Sequence, residues 1–253
     1  MHSIFGGKFS NFFDCLSYCL KMNTTSNNLY FPEKIWKDRQ VAFLERQKKG
    51  LDSRFESILL HLPKQERFQI FDVGGGSGWL FEKLIENFED KFTYYLLETE
   101  KSLEIFSEIH AERITRKNFK LISSEKYRHQ SIESDNLFVY VNSVLQYVDN
   151  PIHFLAKIVN AAPAVKLVFD DFQNSSTQEY WSCQRYYGHL FPCHFLKVDD
   201  FINKIEKLGY KLIINEPYNQ TFTSGWNYTI ADAGEILIPE RSRTLIFENS
   251  AMK

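Results

Sequence analysis

Gln69-Ile70-Phe71-Asp72-Val73-Gly74-Gly75-Gly76-Ser77-Gly78-Trp79-Leu80 is the stretch from which the chain is best read. An apolar run carries an acid near its end and closes on a cluster of glycines, and an amphipathic segment starts at once. That is the order strand, tight turn, helix. It predicts a main-chain cradle at the carboxyl end of a parallel strand, where open α/β sheets hold nucleotide-like ligands. Gly74, Gly76 and Gly78 alternate. Glycine permits the turn and lets a ligand approach the backbone with no Cβ in the way. The dinucleotide fingerprint is G-x-G-x-x-G, with its pyrophosphate on the helix N-terminus. Here the spacing is G-x-G-x-G, which argues against that ligand.

Working outward, the chain downstream alternates strand and helix. Phe68 to Val73 is a buried strand, and the helix behind Gly78 places Leu80, Phe81, Leu84, Ile85 and Phe88 on one face. Phe92 to Glu98 is a second strand, followed by a helix over 102–111. Phe119 to Ser123 and Asn136 to Asn142 read as the third and fourth strands. Asn150-Pro151 supplies an N-cap and a first-turn proline for the next helix. Lys166 to Phe172 is the fifth strand. A long polar and aromatic excursion follows from Gln173 to Phe195, of the kind that in compact domains is usually functional. Asp199 or Asp200 would cap a helix stopped by Gly209, and Tyr210 to Glu216 and Thr244 to Glu248 are the final strands, with Trp226 and Tyr228 in the segment between. Upstream, residues 1–67 read as helices around the polar stretch Asn23 to Asn28, forming an N-terminal helical cover that belongs to the same unit as the α/β domain of 68–253. The expected fold is α/β, Rossmann-like and doubly wound, with a mostly parallel sheet of about seven strands, the last antiparallel.

At 253 residues, 43% of them apolar, the chain is long enough for one large domain with a full core. A formal charge of −2 gives no electrostatic footprint for nucleic acid, and the basic residues Arg113, Arg116, Lys117 and Lys120 read as a solvated face. Four cysteines with no CxxC pair suggest a reducing compartment and no metal site. The first twenty residues are broken by Gly6, Gly7, Lys8, Asn11 and Asp14, unlike a secretory signal, and no run reaches transmembrane length. A cytoplasmic protein without a membrane span is the expectation.

Three pieces carry chemistry. Asp72 would accept hydrogen bonds from a ligand ammonium group, with Gly74, Gly75, Gly76 and Gly78 cradling the ligand. Glu98, about twenty residues on and at the end of the second strand, would accept from both hydroxyls of a ribose and would repel a 2′-phosphate. S-adenosylmethionine fits such a site, since it carries an ammonium and a ribose and has no phosphate, and it is the expected cofactor. The third piece is Asp135 to Pro151, containing LQYVDNP. With FDVGGGSG and YYLLE it resembles the class I S-adenosylmethionine-dependent methyltransferases. LQYVDNP, Gln184, Phe191-Pro192-Cys193-His194-Phe195, DDFINKIEKLGYKL and the opening FGGKFSNFFDCL are similar, over nearly the whole chain, to a methyltransferase family met largely in bacterial surface-polysaccharide loci. The resemblance implies cofactor contacts at Asp72, Gly74, Gly76, Gly78, Glu98 and the turn Asn142, Ser143 to Gln146. It transfers no acceptor. The chain departs from the pattern at Asp170-Asp171-Phe172, where relatives often carry an arginine.

Methyl transfer from an activated sulfonium asks mainly for alignment and exclusion of water. A hydroxyl acceptor benefits from a general base, whereas a phosphate-type oxygen is already anionic. Candidate bases are His194 and His189 in the excursion, His153 at its helix start, and Asp170 at the strand end. Gln184, Tyr187 and Trp181 are candidates to line an acceptor pocket, the alternative being aromatic packing of a lid; His61 and His110 read as ordinary helix residues. The expected activity is S-adenosylmethionine-dependent methylation, on oxygen, of a small molecule or a capsule or surface-glycan precursor, with a phosphoramidate modification as a narrower guess. The alternatives are a non-catalytic partner that keeps the cofactor site and a nicotinamide-dependent oxidoreductase.

Overall fold

A computed structural model describes residues 4–22, 33–48, 55–127, 136–186, 189–218 and 242–251. In chain order it opens with β1 (Ile4–Phe9), α1 (Phe12–Met22), α2 (Glu33–Lys48) and α3 (Glu56–His61). The alternating part begins with β2 (Phe68–Val73), α4 (Trp79–Phe88), β3 (Phe92–Glu98), α5 (Glu100–Ile109), α6 (Ala111–Ile114), β4 (Phe119–Ser123) and β5 (Leu137–Asn142). It continues with α7 (Pro151–Ala161), β6 (Lys166–Phe172), β7 (Asn174–Ser175), β8 (Tyr180–Tyr186), β9 (His189–Lys197), α8 (Val198–Glu206), β10 (Tyr210–Pro217) and β11 (Arg243–Asn249).

Among the described residues seven strands form one sheet in the order β10-β11-β6-β5-β2-β3-β4. β2 pairs in parallel with β3 and β5, β3 with β4, and β5 with β6. β11 runs antiparallel to both its neighbours. The strand order reverses beside β2, so the crevice at its carboxyl end is the topological switch point. Residue alternation splits the core into two layers. Phe71, Val73, Val139 and Val141 pack with α7 and α8 on one face. Ile70, Tyr94, Leu96, Tyr140 and Val168 pack with α3 and α4 on the other, together with Phe106 of α5. Asp72, Asp170 and Glu98 share the residue parity of this second face.

Local signals set several elements where expected. β2, β3, β4 and β6 have the predicted bounds. Asn150 caps α7, its side chain accepting from His153 N at 3.1 Å with Pro151 in the first turn. Gly209 takes φ +92° after α8. Three expectations change. α8 begins at Val198 with no side-chain cap, and Asp199 and Asp200 lie inside its first turn, where they still favour the helix dipole. The N-terminal region is not helical throughout, because it starts with β1. The excursion from Gln173 to Phe195 is not a loop: β8 and β9 form an antiparallel hairpin, β1 adds to β8, and β7 adds to β9, giving a second sheet ordered β1-β8-β9-β7. Trp226 and Tyr228 lie outside the described residues.

Candidate functional site

The glycine loop has the backbone its residues allow. Gly74, Gly76 and Gly78 have φ of +66°, +59° and +61°, in the left-handed region that residues bearing a Cβ avoid. Each position is also spatially constrained in its own way. A Cβ on Gly74 would lie 2.3 Å from Val144 Cγ2, so the loop packs on the turn after β5. A Cβ on Gly75 would lie 2.2 Å from Asp72 Oδ2. At Gly76 the nearest atom to such a Cβ is Gly74 O, 4.0 Å away, so this glycine borders open space.

Asp72 sits beneath the loop and is 2% exposed. Its Oδ2 accepts from the Tyr94 hydroxyl at 2.5 Å, while Oδ1 is buried with no hydrogen-bond partner among the described residues. Burial, and then the nearby Glu98 charge, push its carboxyl up to about 7, against the Tyr94 hydrogen bond. Glu98 is half-buried at the end of β3, and its Oε1 accepts from Gly76 N at 2.9 Å. Burial raises its pKa, opposed by the hydrogen bonds from Gly76 and Thr99 and by the Arg39 charge of α2. The acid and the loop that sequence pattern assigned to one ligand are thus directly bonded.

The turn after β5 closes the other side. Asn142 donates to the Tyr140 hydroxyl at 2.8 Å. Ser143, at φ +52°, donates to Asp171, and Gln146 is buried in the 3-10 turn Leu145–Tyr147. Ser143, Val144, Leu145 and Gln146 line a small cavity with Val141, Phe169, Asp170 and Phe172. Asp170 is 1% exposed and accepts from Ser57 of α3, from the Tyr140 hydroxyl at 3.0 Å and from Thr244 Oγ1 at 2.8 Å. Three hydroxyls from three elements therefore converge on this one carboxylate.

The second sheet divides the remaining candidates. Gln184 accepts from the Tyr147 hydroxyl at 2.8 Å, and Phe191, its register partner, meets the Tyr147 ring edge-on at 5.5 Å. Strand alternation then turns Trp181 and His194, partners of each other, to the opposite face. There their rings stack at 4.0 Å and Trp181 meets Phe12 of α1. His194 Nε2 is 2.8 Å from Glu179 Oε1, and its Nδ1 is buried with no partner among the described residues. So the structure brings Gln184 to the turn beside the glycine loop and sends His194 and Trp181 toward α1. His153 is exposed on the first turn of α7, with its backbone bonded to Asn150. Tyr187 lies outside the described residues, as does the side chain of His189.

Some residues had no sequence signal. Tyr94 looks like one more aromatic in a strand. Arg113, read as part of a solvated basic face, is 5% exposed: it donates to Ser77 O and pairs with Glu82 Oε1 at 2.7 Å, tying α6 to the end of the loop and to α4. His110, buried and paired with Gln40 at 3.2 Å, joins α5 to α2, and desolvation with the Arg113 charge lowers its pKa to about 4.

The strand order, with helices packed on both faces of the sheet, matches a known architecture. This is the Rossmann-like methyltransferase fold. Similar solved structures include an S-adenosylmethionine-dependent methyltransferase from Mesorhizobium loti (14% identity, TM-score 0.52, covering 78% of this chain and 98% of that one). Another is an S-adenosylmethionine-dependent methyltransferase from Methanosarcina mazei (11% identity, TM-score 0.53, 77% and 97% covered). A third is 1,6-didemethyltoxoflavin-N1-methyltransferase from Burkholderia thailandensis, crystallised with 1,6-didemethyltoxoflavin and S-adenosylhomocysteine (10% identity, TM-score 0.50, 89% and 93% covered). No protein-family model matches the chain, and no curated protein does. Among the described residues no helix is long and apolar enough to cross a membrane.

Proposed function

We propose that the chain is an S-adenosylmethionine-dependent methyltransferase. The observation that carries this reading is the joint geometry of Asp72, the glycine loop and Glu98. Asp72 Oδ1 is a buried acceptor with no partner among the described residues, Gly76 borders open space, and Glu98 is bonded to Gly76 N at 2.9 Å. A buried acceptor without a donor is costly, and a ligand ammonium, directly or through water, would relieve that cost. Glu98 keeps acceptor capacity for ribose hydroxyls after its bond to the loop. The bound cofactor would supply an activated methyl group; the chain's part is to hold it, align the acceptor and exclude water. Asn142, Ser143 and Gln146 are assigned to the cofactor's other side, with Gln184 at the acceptor end through Tyr147.

The acceptor proposed is a small molecule or a capsule or surface-glycan precursor, methylated on oxygen in the cytoplasm, with phosphoramidate-type groups among the candidates. This part rests on the resemblance of the chain's motifs to methyltransferases of surface-polysaccharide loci. For a hydroxyl acceptor, His189 and His153 are the base candidates; His194 faces α1 and Asp170 is engaged by three hydroxyls, which supports structural roles for both.

Calorimetry with S-adenosylmethionine and S-adenosylhomocysteine tests the cofactor assignment, and the absence of binding heat and of any thermal shift with both would sink it. Glu98→Ala should weaken binding by about 1–3 kcal/mol, the range for leaving a buried hydrogen-bonding partner unsatisfied; an unchanged affinity moves the ribose contact elsewhere. A methyl-transfer screen over nucleotide-activated sugars, phosphorylated sugars and capsule precursors identifies the acceptor.

A further inference from the structure

On the face of the second sheet turned away from Gln184, three cysteines converge. Cys15 and Cys19 are one turn apart on α1 and so share a face of that helix. That face presses on β8, where Cys183 meets both: its Sγ lies 3.0 Å from Cys19 Sγ and 3.6 Å from Cys15 Sγ. All three are at most 1% exposed, packed with Trp181 and Leu190 and flanked by Phe9, Phe12 and Met22. Among the described residues this is the set of three metal-ligating side chains whose donor atoms all lie within 4.8 Å of one another. The fourth cysteine, Cys193, is opposite Ser182 in the hairpin and so has the other parity.

Packing alone does not call for three sulfurs meeting from segments more than 160 residues apart. A zinc–thiolate bond of about 2.3 Å places the sulfurs of one ion roughly 3.8 Å from each other; the Cys183 sulfur lies inside that distance from both others, at 3.0 and 3.6 Å, so taking up an ion spreads the three sulfurs slightly apart. We propose that Cys15, Cys19 and Cys183 bind one thiophilic cation, Zn2+ or Cu+, which clamps the β1–α1 segment onto the β8–β9 hairpin. Thiolates are the donors that select these ions. Three thiolates satisfy trigonal Cu+, or zinc with its fourth position left for water. The ligands come from two elements far apart in sequence, so ion binding stabilises the docked arrangement over any in which α1 has left β8. The clamp is independent of the cofactor reading, because it lies on the other side of the hairpin from the turn beside the glycine loop.

The test uses the full-length chain, reduced, freed of metal by a chelator and kept anaerobic. Titration with Co2+ as the zinc probe should develop thiolate-to-cobalt charge-transfer absorption that saturates at one ion per chain and is displaced by Zn2+. A parallel titration with Cu+ against a colorimetric Cu+ chelator distinguishes a copper site from a zinc site; retention in either arm supports the clamp. Cys183→Ser should abolish the absorption and Cys193→Ser should keep it, with circular dichroism checking the fold of each. If Cys183→Ser does not fold, the titration of the unsubstituted chain decides. A folded, reduced protein that shows no charge transfer and retains no Cu+ overturns the proposal. So does peptide mapping that finds Cys19 and Cys183 joined as a disulfide in the metal-free protein as isolated.

Discussion

Asp72 shows how one buried carboxyl can couple pH to both stability and binding. Its pKa rises from an ordinary 3.8 to about 7 because burial and the Glu98 charge disfavour the ionised form. Between those values the folded chain holds more protons than the unfolded one, so the stability of the ligand-free protein should fall as pH rises from about 4 to 7. A ligand ammonium reverses the preference, since it meets only the ionised form. S-adenosylmethionine should therefore bind more tightly as pH rises through about 7, and Asp72→Asn should flatten that dependence; calorimetry at pH 6 and pH 8 on both proteins checks it. The glycines allow a second test at the same scale. Gly75→Ala would place a Cβ 2.2 Å from Asp72 Oδ2 and should destabilise the fold as the carboxylate is displaced. Gly76→Ala meets no neighbour and should cost only about 1–2 kcal/mol for its left-handed backbone, while its methyl group enters the proposed cofactor space. Urea denaturation with binding assays should show Gly75→Ala failing in stability and Gly76→Ala failing mainly in affinity.

Elements are joined around the site by buried polar ties more than by their own propensities. α3 is only six residues long, too short to persist alone, and is held by Ile58 in the core and by Ser57 donating to Asp170. Ser57→Ala should cost about 1.5–3 kcal/mol, the worth of a hydrogen bond to a charged group, measured by urea denaturation. α7, by contrast, carries its own start signal in Asn150 and Pro151. Asn150→Ala should cost about 1 kcal/mol, and the loss should appear as faster amide exchange in the first turn of that helix. α2 docks on α5 and its C-cap at two points, Gln40 meeting His110 at 3.2 Å and Lys37 meeting Glu108 at 2.7 Å.

Over the whole molecule, a doubly wound sheet carries a second, four-stranded sheet, which meets it at the turn after β5 through Tyr147. The two ends of sequence that build this second sheet, 4–9 and 174–197, are more than 160 residues apart. Removing residues 1–22 would leave the β8 edge unpaired and bare the face of Trp181, Cys183 and Leu190. Such an edge templates pairing with other chains, so the truncated protein should aggregate at concentrations where the full chain does not, as read by light scattering. The local patterns that could be read without coordinates are those where a few neighbouring residues settle the outcome: the apolar runs of β2, β3 and β6, the glycines that must turn left-handed, the Asn-Pro start of α7. The Asp72, glycine and Glu98 set belongs to this group, because each residue lies at the end of a strand whose pattern is itself local. The hairpin, its pairing with β1, the burial of Arg113, the hydroxyls gathered on Asp170 and the opposite facing of Gln184 and His194 needed the tertiary structure. Pairing between distant segments, and the face of a strand that packing selects, depend on loop closure and burial across the whole chain, and no local run of residues records them.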